Sequence, residues 1–273
     1  MEQIWEHYRR ERDRLCGDVP ARLREMQPLV HLLTNYVTVT DCVNAVLAAG
    51  GRAICSHAPK EAAQVTAGAD ALVCNLGGTE YYDAMDLSAA QALSSGIPLV
   101  IDPVGCAASA YRREKCLQLT RQFCPAAIRG NYAEIAALTD DDSDEAGRTG
   151  SKGLDSTGAL TAGEETQLQA HMRAFSRKYN VILIASGSVD LCTDGETMIE
   201  IACGTPMLRR ITGAGCLSTA LLAAYLAAEC SLFSAAAAVR CVGLAGEAAE
   251  AACRKTQTGA GHFHMFLMDA LSM

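Results

Sequence analysis

Three short apolar runs without alternation constrain this chain more than any other feature. They occupy residues 71–75, 98–101 and 181–185, and they close on Asn75, on Asp102 and on Ser186-Gly187. A strand with one wet face alternates apolar and polar side chains, whereas an unbroken run suits a strand covered on both faces. Helical stretches separate them, one ending at Leu93, one over 110–122 and one running from Asn131 to Leu138. Strands that alternate with helices in this way predict a three-layer α/β fold: a mainly parallel central sheet with helices on both faces.

The rest of the chain reads in the same rhythm. Residues 1–26 form one or two charged helices with Pro20 between them. Residues 28–35 read as a strand that ends in a polar loop, 41–49 as a helix closed by Gly50 and Gly51, and 52–55 as a short strand. A helix over 59–67 starts at Pro59, and a strand over 126–129 leads into Gly130 and Asn131. The stretch 139–163 is rich in Asp, Ser, Thr and Gly, with an acidic patch at 140–142, and its first part reads as a solvated loop. Asp194-Gly195 between two strand-like arms predicts a hairpin over 191–201. A strand over 207–211, helices over 217–228 and 233–253, and a last helix after the 258–261 turn complete the chain. No internal repeat or long linker divides it. The expectation is one domain over 1–273, with 1–27 as an N-terminal helical extension.

Composition narrows the function. Half of the 273 residues are hydrophobic, 20% are charged and the formal net charge is −8, with no Lys/Arg run to mark a nucleic-acid footprint. The charged first fifteen residues lack the apolar centre of a signal peptide, and no uninterrupted apolar run reaches the length of a membrane span. Both point to a cytoplasmic protein without a membrane partner. The 13 cysteines are an odd number and contain no C-x-x-C pair, which argues against a disulfide framework and a zinc site. Most sit among Ala, Val, Leu and Ile, as small buried hydrophobes do.

In an open parallel sheet, ligands bind at the carboxyl ends of the strands. Those ends carry Asn35, Asn75, Asp102, Arg129, Asn131 and Ser186. They face the late stretch Ile211-Thr212-Gly213-Ala214-Gly215-Cys216, which opens a long apolar helix. Glycines let the backbone turn there without a Cβ in the way, and a helix start offers free N–H groups to an anion, above all a phosphate. Glu134 stands one helical turn after Asn131, so Asp102 and Glu134 supply two carboxylates for Mg²⁺ beside bound phosphates. Plainer readings exist for each: a turn aspartate before Pro103, a capping box for Asn131 and Glu134, a glycine loop with a structural cysteine. Convergence on one sheet edge favours the joint functional reading. His31 either touches a substrate or ends a strand, His57 is a candidate for a substrate pocket next to Cys55, and His262 and His264 read as surface or packing residues rather than a metal pair, since no third ligand stands nearby.

The order N-x-x-E (Asn131 to Glu134) followed by a late G-A-G-C loop resembles the ribokinase-like superfamily, which more often has Asp at the last loop position. The cysteine, with PLVHLLTNYVT (28–38), IDPVG (101–105), AAIRGNYAEIA (126–136) and ITGAGC (211–216), resembles the hydroxyethylthiazole kinases from about residue 28 to the end. The resemblance implies transfer of the ATP γ-phosphoryl group to 4-methyl-5-(2-hydroxyethyl)thiazole, a salvage step in thiamine biosynthesis. It also implies a fold without a lid domain and a homotrimer with active sites between subunits. Matching positions make Arg129 and Ser186 ATP contacts, joined by Asn131. Gly213, Cys55 and Asn35 fall to the acceptor, Asp102 and Glu134 to Mg²⁺, and Cys216 to the alcohol's proton. The chain departs from the pattern at Cys55, where Met is common, at Ser186, where Thr is common, at Cys106, where a small residue is usual, and in the acidic loop around 140–150.

Three other readings compete. One is a ribokinase-like kinase of another small alcohol, such as a hydroxymethylpyrimidine or a sugar. Cys216 and the missing lid speak for thiazole instead. The second is a non-catalytic sensor of thiazole or nucleotide, against which Asp102, Glu134 and Cys216 argue. The third, a nicotinamide oxidoreductase, needs an early G-x-G-x-x-G after a strand, and the early strands lack it.

Overall fold

The computed structural model describes residues 1–140 and 160–273. Six strands run parallel: β1 (Leu29–Leu33), β2 (Arg52–Ile54), β3 (Ala71–Asn75), β4 (Leu99–Asp102), β5 (Ala127–Asn131) and β6 (Ile182–Ser186). The hairpin β7 (Asp190–Thr193) and β8 (Met198–Ile201) adds two antiparallel strands, giving one sheet in the order β2-β1-β3-β4-β5-β6-β7-β8. Among the described residues all strands belong to this sheet, and there is no separate lid.

Successive side chains of each strand enter different cores, as the pleat requires. Ala71, Val73, Val100 and Ile184 face one layer. It holds α1 (Glu2–Cys16), α2 (Val19–Met26), α3 (Val39–Ala48), α9 (Ala214–Ala228), α10 (Leu232–Thr256) and α11 (Ala260–Ser272). Leu72, Cys74, Ile101 and Leu183 face the other layer. That one holds α4 (Pro59–Ala67), α5 (Tyr82–Ser95), α6 (Ala110–Phe123), α7 (Tyr132–Asp140) and α8 (Ala162–Tyr179). Apolar demand on both faces explains the unbroken runs. The N-terminal helices are tied into this body, since Tyr8, Cys16, Val19 and Leu23 are buried in the first core.

The helix α9 is buried from Leu217 through Leu226 and packs between the sheet and helices α3 and α10. An all-round apolar helix has no other stable place. α10 is the one described helix long and apolar enough to cross a membrane, yet 78% of its apolar window is buried inside the protein.

Three expectations change. Residues 207–211 are not a strand, because Pro206–Arg210 is a 3-10 helix. Pro206 takes a first-turn position and Thr205 caps it, its hydroxyl accepting from the Met207 N–H at 3.2 Å. That start signal is followed by Met, Leu and two Arg, all good helix formers, so the turn forms here. The helix after the glycine bend begins at Ala214 rather than at 217. The strand expected over 126–129 runs on through Gly130 and Asn131. The acidic stretch expected as a loop lies, from 141 to 159, outside the described residues.

Leu221 on α9 is fully buried. Leu221→Ala should lower the unfolding free energy by about 2–5 kcal/mol, read from urea unfolding. A loss below about 1 kcal/mol would show that α9 is not packed as described.

Candidate active site

Parallel register brings the polar strand ends side by side. Asn75 pairs in register with Asp102, and Asn131 with Ser186. The start of α9 closes over them. Gly213 caps it in a left-handed conformation, φ +81°, and a Cβ there would come within 2.6 Å of Thr38 Cγ2. The first bond closing this helix start runs from Leu217 N–H to Gly213 C=O at 2.9 Å. The amides of Ala214, Gly215 and Cys216 therefore have no partner within the helix and point out of its positive end.

Below these amides lies a connected set of buried polar groups. Asn75 Nδ2 donates to Asp102 Oδ2 at 2.9 Å and to Cys216 Sγ at 3.2 Å. Thr219, one turn into α9, donates its hydroxyl to the same Asp102 oxygen at 3.0 Å. Asn35 Nδ2 reaches Asn75 Oδ1 at 3.1 Å and Cys216 Sγ at 3.8 Å, while its Oδ1 accepts the Val37 and Thr38 N–H groups. Burial, and then the neighbouring Glu134 charge, push the Asp102 carboxyl up to about 7. Burial and the Asp102 charge push the Cys216 thiol up to about 12, so the helix dipole does not win and the sulfur rests as a thiol.

Arg129 forms the second half of the site. It is 9% exposed; Nη1 donates to Gly215 C=O at 3.0 Å and Nη2 to Ser186 Oγ at 2.9 Å. Its Nε is buried without a hydrogen-bond partner, an unusual state for a cation's donor and one that suits an anionic ligand. Asn131 and Glu134 make the capping box: Glu134 N–H donates to Asn131 Oδ1, and Asn131 N–H to Glu134 Oε2, each at 2.9 Å. Glu134 Oε1 also accepts the Gly105 N–H at 2.8 Å, tying the loop after β4 to α7. The plain reading of this pair is thus realised, without taking Glu134 away from the cleft it lines.

Asp102, Arg129, Asn131, Glu134, Ser186 and the 213–216 bend line one cleft of about 690 Å³. Asn35 touches Cys216 from the far side, outside this cleft. Cys55 lies just beyond β2, the edge strand, half-buried and not on the cleft wall. His57 stacks on Tyr81 with ring centroids 4.0 Å apart. His31 is buried, bonded to Thr66 and to the Ser56 carbonyl, and His264 pairs with Asp41. Sequence reasoning passed over Thr219, although its spacing from Cys216 and Gly215 puts it on the same helix face. It also passed over Asp190, which lines the cleft and accepts the Gly187 N–H at 2.8 Å, and nothing local marks that aspartate.

A sequence model of the Hydroxyethylthiazole kinase family matches residues 21–273. The chain belongs to the hydroxyethylthiazole kinase family. It is 36% identical over 256 residues to Hydroxyethylthiazole kinase 1 of Methanosphaera stadtmanae, covering 92% of this chain and 89% of that protein. It is 38% identical over 256 residues to the hydroxyethylthiazole kinase of Desulforudis audaxviator, covering 92% and 88%. The structure of the hydroxyethylthiazole kinase protein from Pyrococcus horikoshii OT3 superposes with a TM-score of 0.80 at 28% identity, over 100% of this chain and 93% of that one. Bacillus subtilis pyridoxal kinase, in an ADP complex, shares the fold alone: TM-score 0.55, 18% identity, 78% and 89% covered. The expected ribokinase-like architecture is therefore the architecture of this hydroxyethylthiazole kinase family member.

In this family member the donors for a metal are oxygens, and few. Among the described residues no three His, Cys, Asp or Glu side chains gather into a metal cluster. Asp102 and Glu134 both line the cleft and interact through charge. Such a pair fits Mg²⁺, which keeps several waters and uses one or two carboxylates together with substrate phosphates.

The raised Asp102 value has a consequence for stability. Its folded-state value, about 7, exceeds the ordinary carboxyl value of 3.8. Its contribution is therefore complete below pH 3.8 and is lost as pH rises through about 7. In EDTA, Asp102→Asn should gain stability relative to the native protein as pH rises from about 4 to 8, in urea unfolding. A gap that stays constant with pH would show that Asp102 is not held above its ordinary range.

Proposed function

We propose that this chain transfers the γ-phosphoryl group of ATP to the hydroxyl of 4-methyl-5-(2-hydroxyethyl)thiazole, as a salvage step in thiamine biosynthesis. Family membership supports this reading. The observation that carries it is the meeting of the α9 amides, Cys216 and Arg129 on one cleft with Asp102 and Glu134. Phosphoryl transfer asks a protein for positioning and charge neutralisation more than for covalent chemistry. The amides of Ala214, Gly215 and Cys216 would receive the charge of the moving phosphoryl group as a preformed anion hole. Arg129, with Ser186 and Asn131 beside it, would hold the ATP phosphates. Asp102 and Glu134 would hold Mg²⁺, which neutralises phosphate charge when bound. Gly213, Asn35 and Cys55 remain the acceptor-side residues.

Cys216 sits where the acceptor hydroxyl would arrive. As a thiol it is no base at rest. Its thiolate form, reached by loss of the S–H proton to solvent, takes the alcohol's proton. The alcohol oxygen forms its bond to the γ-phosphorus, the bond to the bridging oxygen of ADP breaks, and the proton ends on Sγ.

Tyr36, Val37 and Ile54 support the homotrimer: they are exposed by 76%, 59% and 37%, and they stand where the chain leaves β1 and on the edge strand β2. A partner subunit covering them would complete the acceptor side beside Cys55. A cytoplasmic location is part of the same proposal.

ATP consumption should require Mg²⁺ and should be fastest with hydroxyethylthiazole, measured beside hydroxymethylpyrimidine and a few sugars. Turnover of another alcohol with none for thiazole would overturn the reading. Cys216→Ala should lower kcat by about 10²- to 10⁴-fold with the thiazole still bound, and Cys216→Asp should retain activity. An unchanged kcat in Cys216→Ala would reduce the cysteine to packing.

A further inference from the structure

One buried carboxamide joins Asn35, Asp102 and Cys216, yet it lines neither described cavity and has no role in the reaction as described so far. Asn75 is 1% exposed. Its Oδ1 accepts from Asn35 Nδ2 at 3.1 Å and from the Gly77 backbone N–H at 3.0 Å. Its Nδ2 donates to Asp102 Oδ2 at 2.9 Å and to Cys216 Sγ at 3.2 Å. An amide offers two lone pairs and two N–H bonds, so all four of its positions are taken.

The orientation of this amide is not free. The Gly77 N–H is a donor fixed in the backbone, so the atom facing it must be the oxygen. Nδ2 then has to face the carboxylate and the sulfur. With the N–H groups of Asn75 and Asn35 both arriving at Sγ, the sulfur is met by donors on that side. Through Asn75 the sulfur is tied to Asp102 Oδ2. Close packing holds the loop as well. A Cβ on Gly77 would lie 2.9 Å from Asn75 Oδ1 and 3.2 Å from Asn35 Nδ2, so the turn after β3 accepts only glycine while the amide stays in place.

We infer that Asn75 is the positioning residue that sets Cys216 Sγ and Asp102 at a fixed mutual geometry, so that the sulfur meets the acceptor alcohol in one orientation. This rests on the proposed phosphoryl transfer. Asn75 touches neither substrate; it acts through Cys216. Removing it leaves the cleft wall, Arg129 and the α9 amides in place, so nucleotide binding is preserved and turnover falls.

The test is a double-mutant cycle on the full-length protein, with kcat and the KM for ATP measured at fixed Mg²⁺. Asn75→Ala, and Asn75→Ser as a smaller polar change less prone to misfold, should lower kcat about 10- to 100-fold with the KM for ATP within about threefold. In the Cys216→Ala background the same changes should cost less than about threefold, because the residue they act through is already gone. Full additivity of the two losses, or a rise in the KM for ATP and in the Mg²⁺ requirement, would overturn the inference and make Asn75 a structural support of Asp102. Native protein that turns over no thiazole would sink the proposed function itself. Turnover with an additive cycle would sink only the role of Asn75.

Discussion

The burial of α9 decides where everything else in the site must be. This helix is apolar on all sides, so it has to lie between the sheet and a layer of other helices. Once it does, its first turn stands above the carboxyl ends of β3, β4 and β5. Thr219 then meets Asp102, the Gly215 carbonyl meets Arg129, and Cys216 meets Asn75. These bonds cross long stretches of chain and exist only because one helix has a single place to go.

The same burial sets the electrostatics. Asp102 is dry and sits near Glu134, so its carboxyl rises to about 7. The Cys216 thiol is dry and sits near Asp102, so it rises to about 12. A helix start normally favours a thiolate, but here desolvation and a like charge outweigh the dipole. The site is therefore destabilised before any ligand arrives. The buried Arg129 Nε without a hydrogen-bond partner adds to that cost. Ligand phosphates and a divalent cation would relieve all of them together, which links the strain to the proposed chemistry.

Much of this was legible in the sequence, for a definite reason. Unbroken apolar runs mark buried parallel strands, and the residue that ends each run lies at the functional edge. That logic picks out Asn75, Asp102, Arg129, Asn131 and Ser186 without any coordinates. The glycine bend is legible because only glycine tolerates the conformation of Gly213 beside Thr38. What stayed hidden depends on register and on reach. Asn75 could be placed at an edge, but not seen to bridge a carboxylate and a thiol. Glu134 could be placed one turn after Asn131, but not seen to hold the Gly105 N–H as well. Residues 207–211 misled because the start signal, Pro206 with its capping Thr205, stands just outside them. Cys55 belongs by resemblance to the acceptor, and the fold puts it beyond an edge strand, where a single chain leaves it open.

The account stands on one triphosphate bound between the α9 amides and Arg129. A crystal structure with Mg²⁺, a non-hydrolysable ATP analogue and hydroxyethylthiazole tests it most directly. The account predicts the γ-phosphate on the N–H groups of residues 214–216, a phosphate oxygen on Arg129, and the thiazole hydroxyl against Cys216 Sγ. A triphosphate lying elsewhere, with Cys216 facing neither the γ-phosphate nor the hydroxyl, would contradict it.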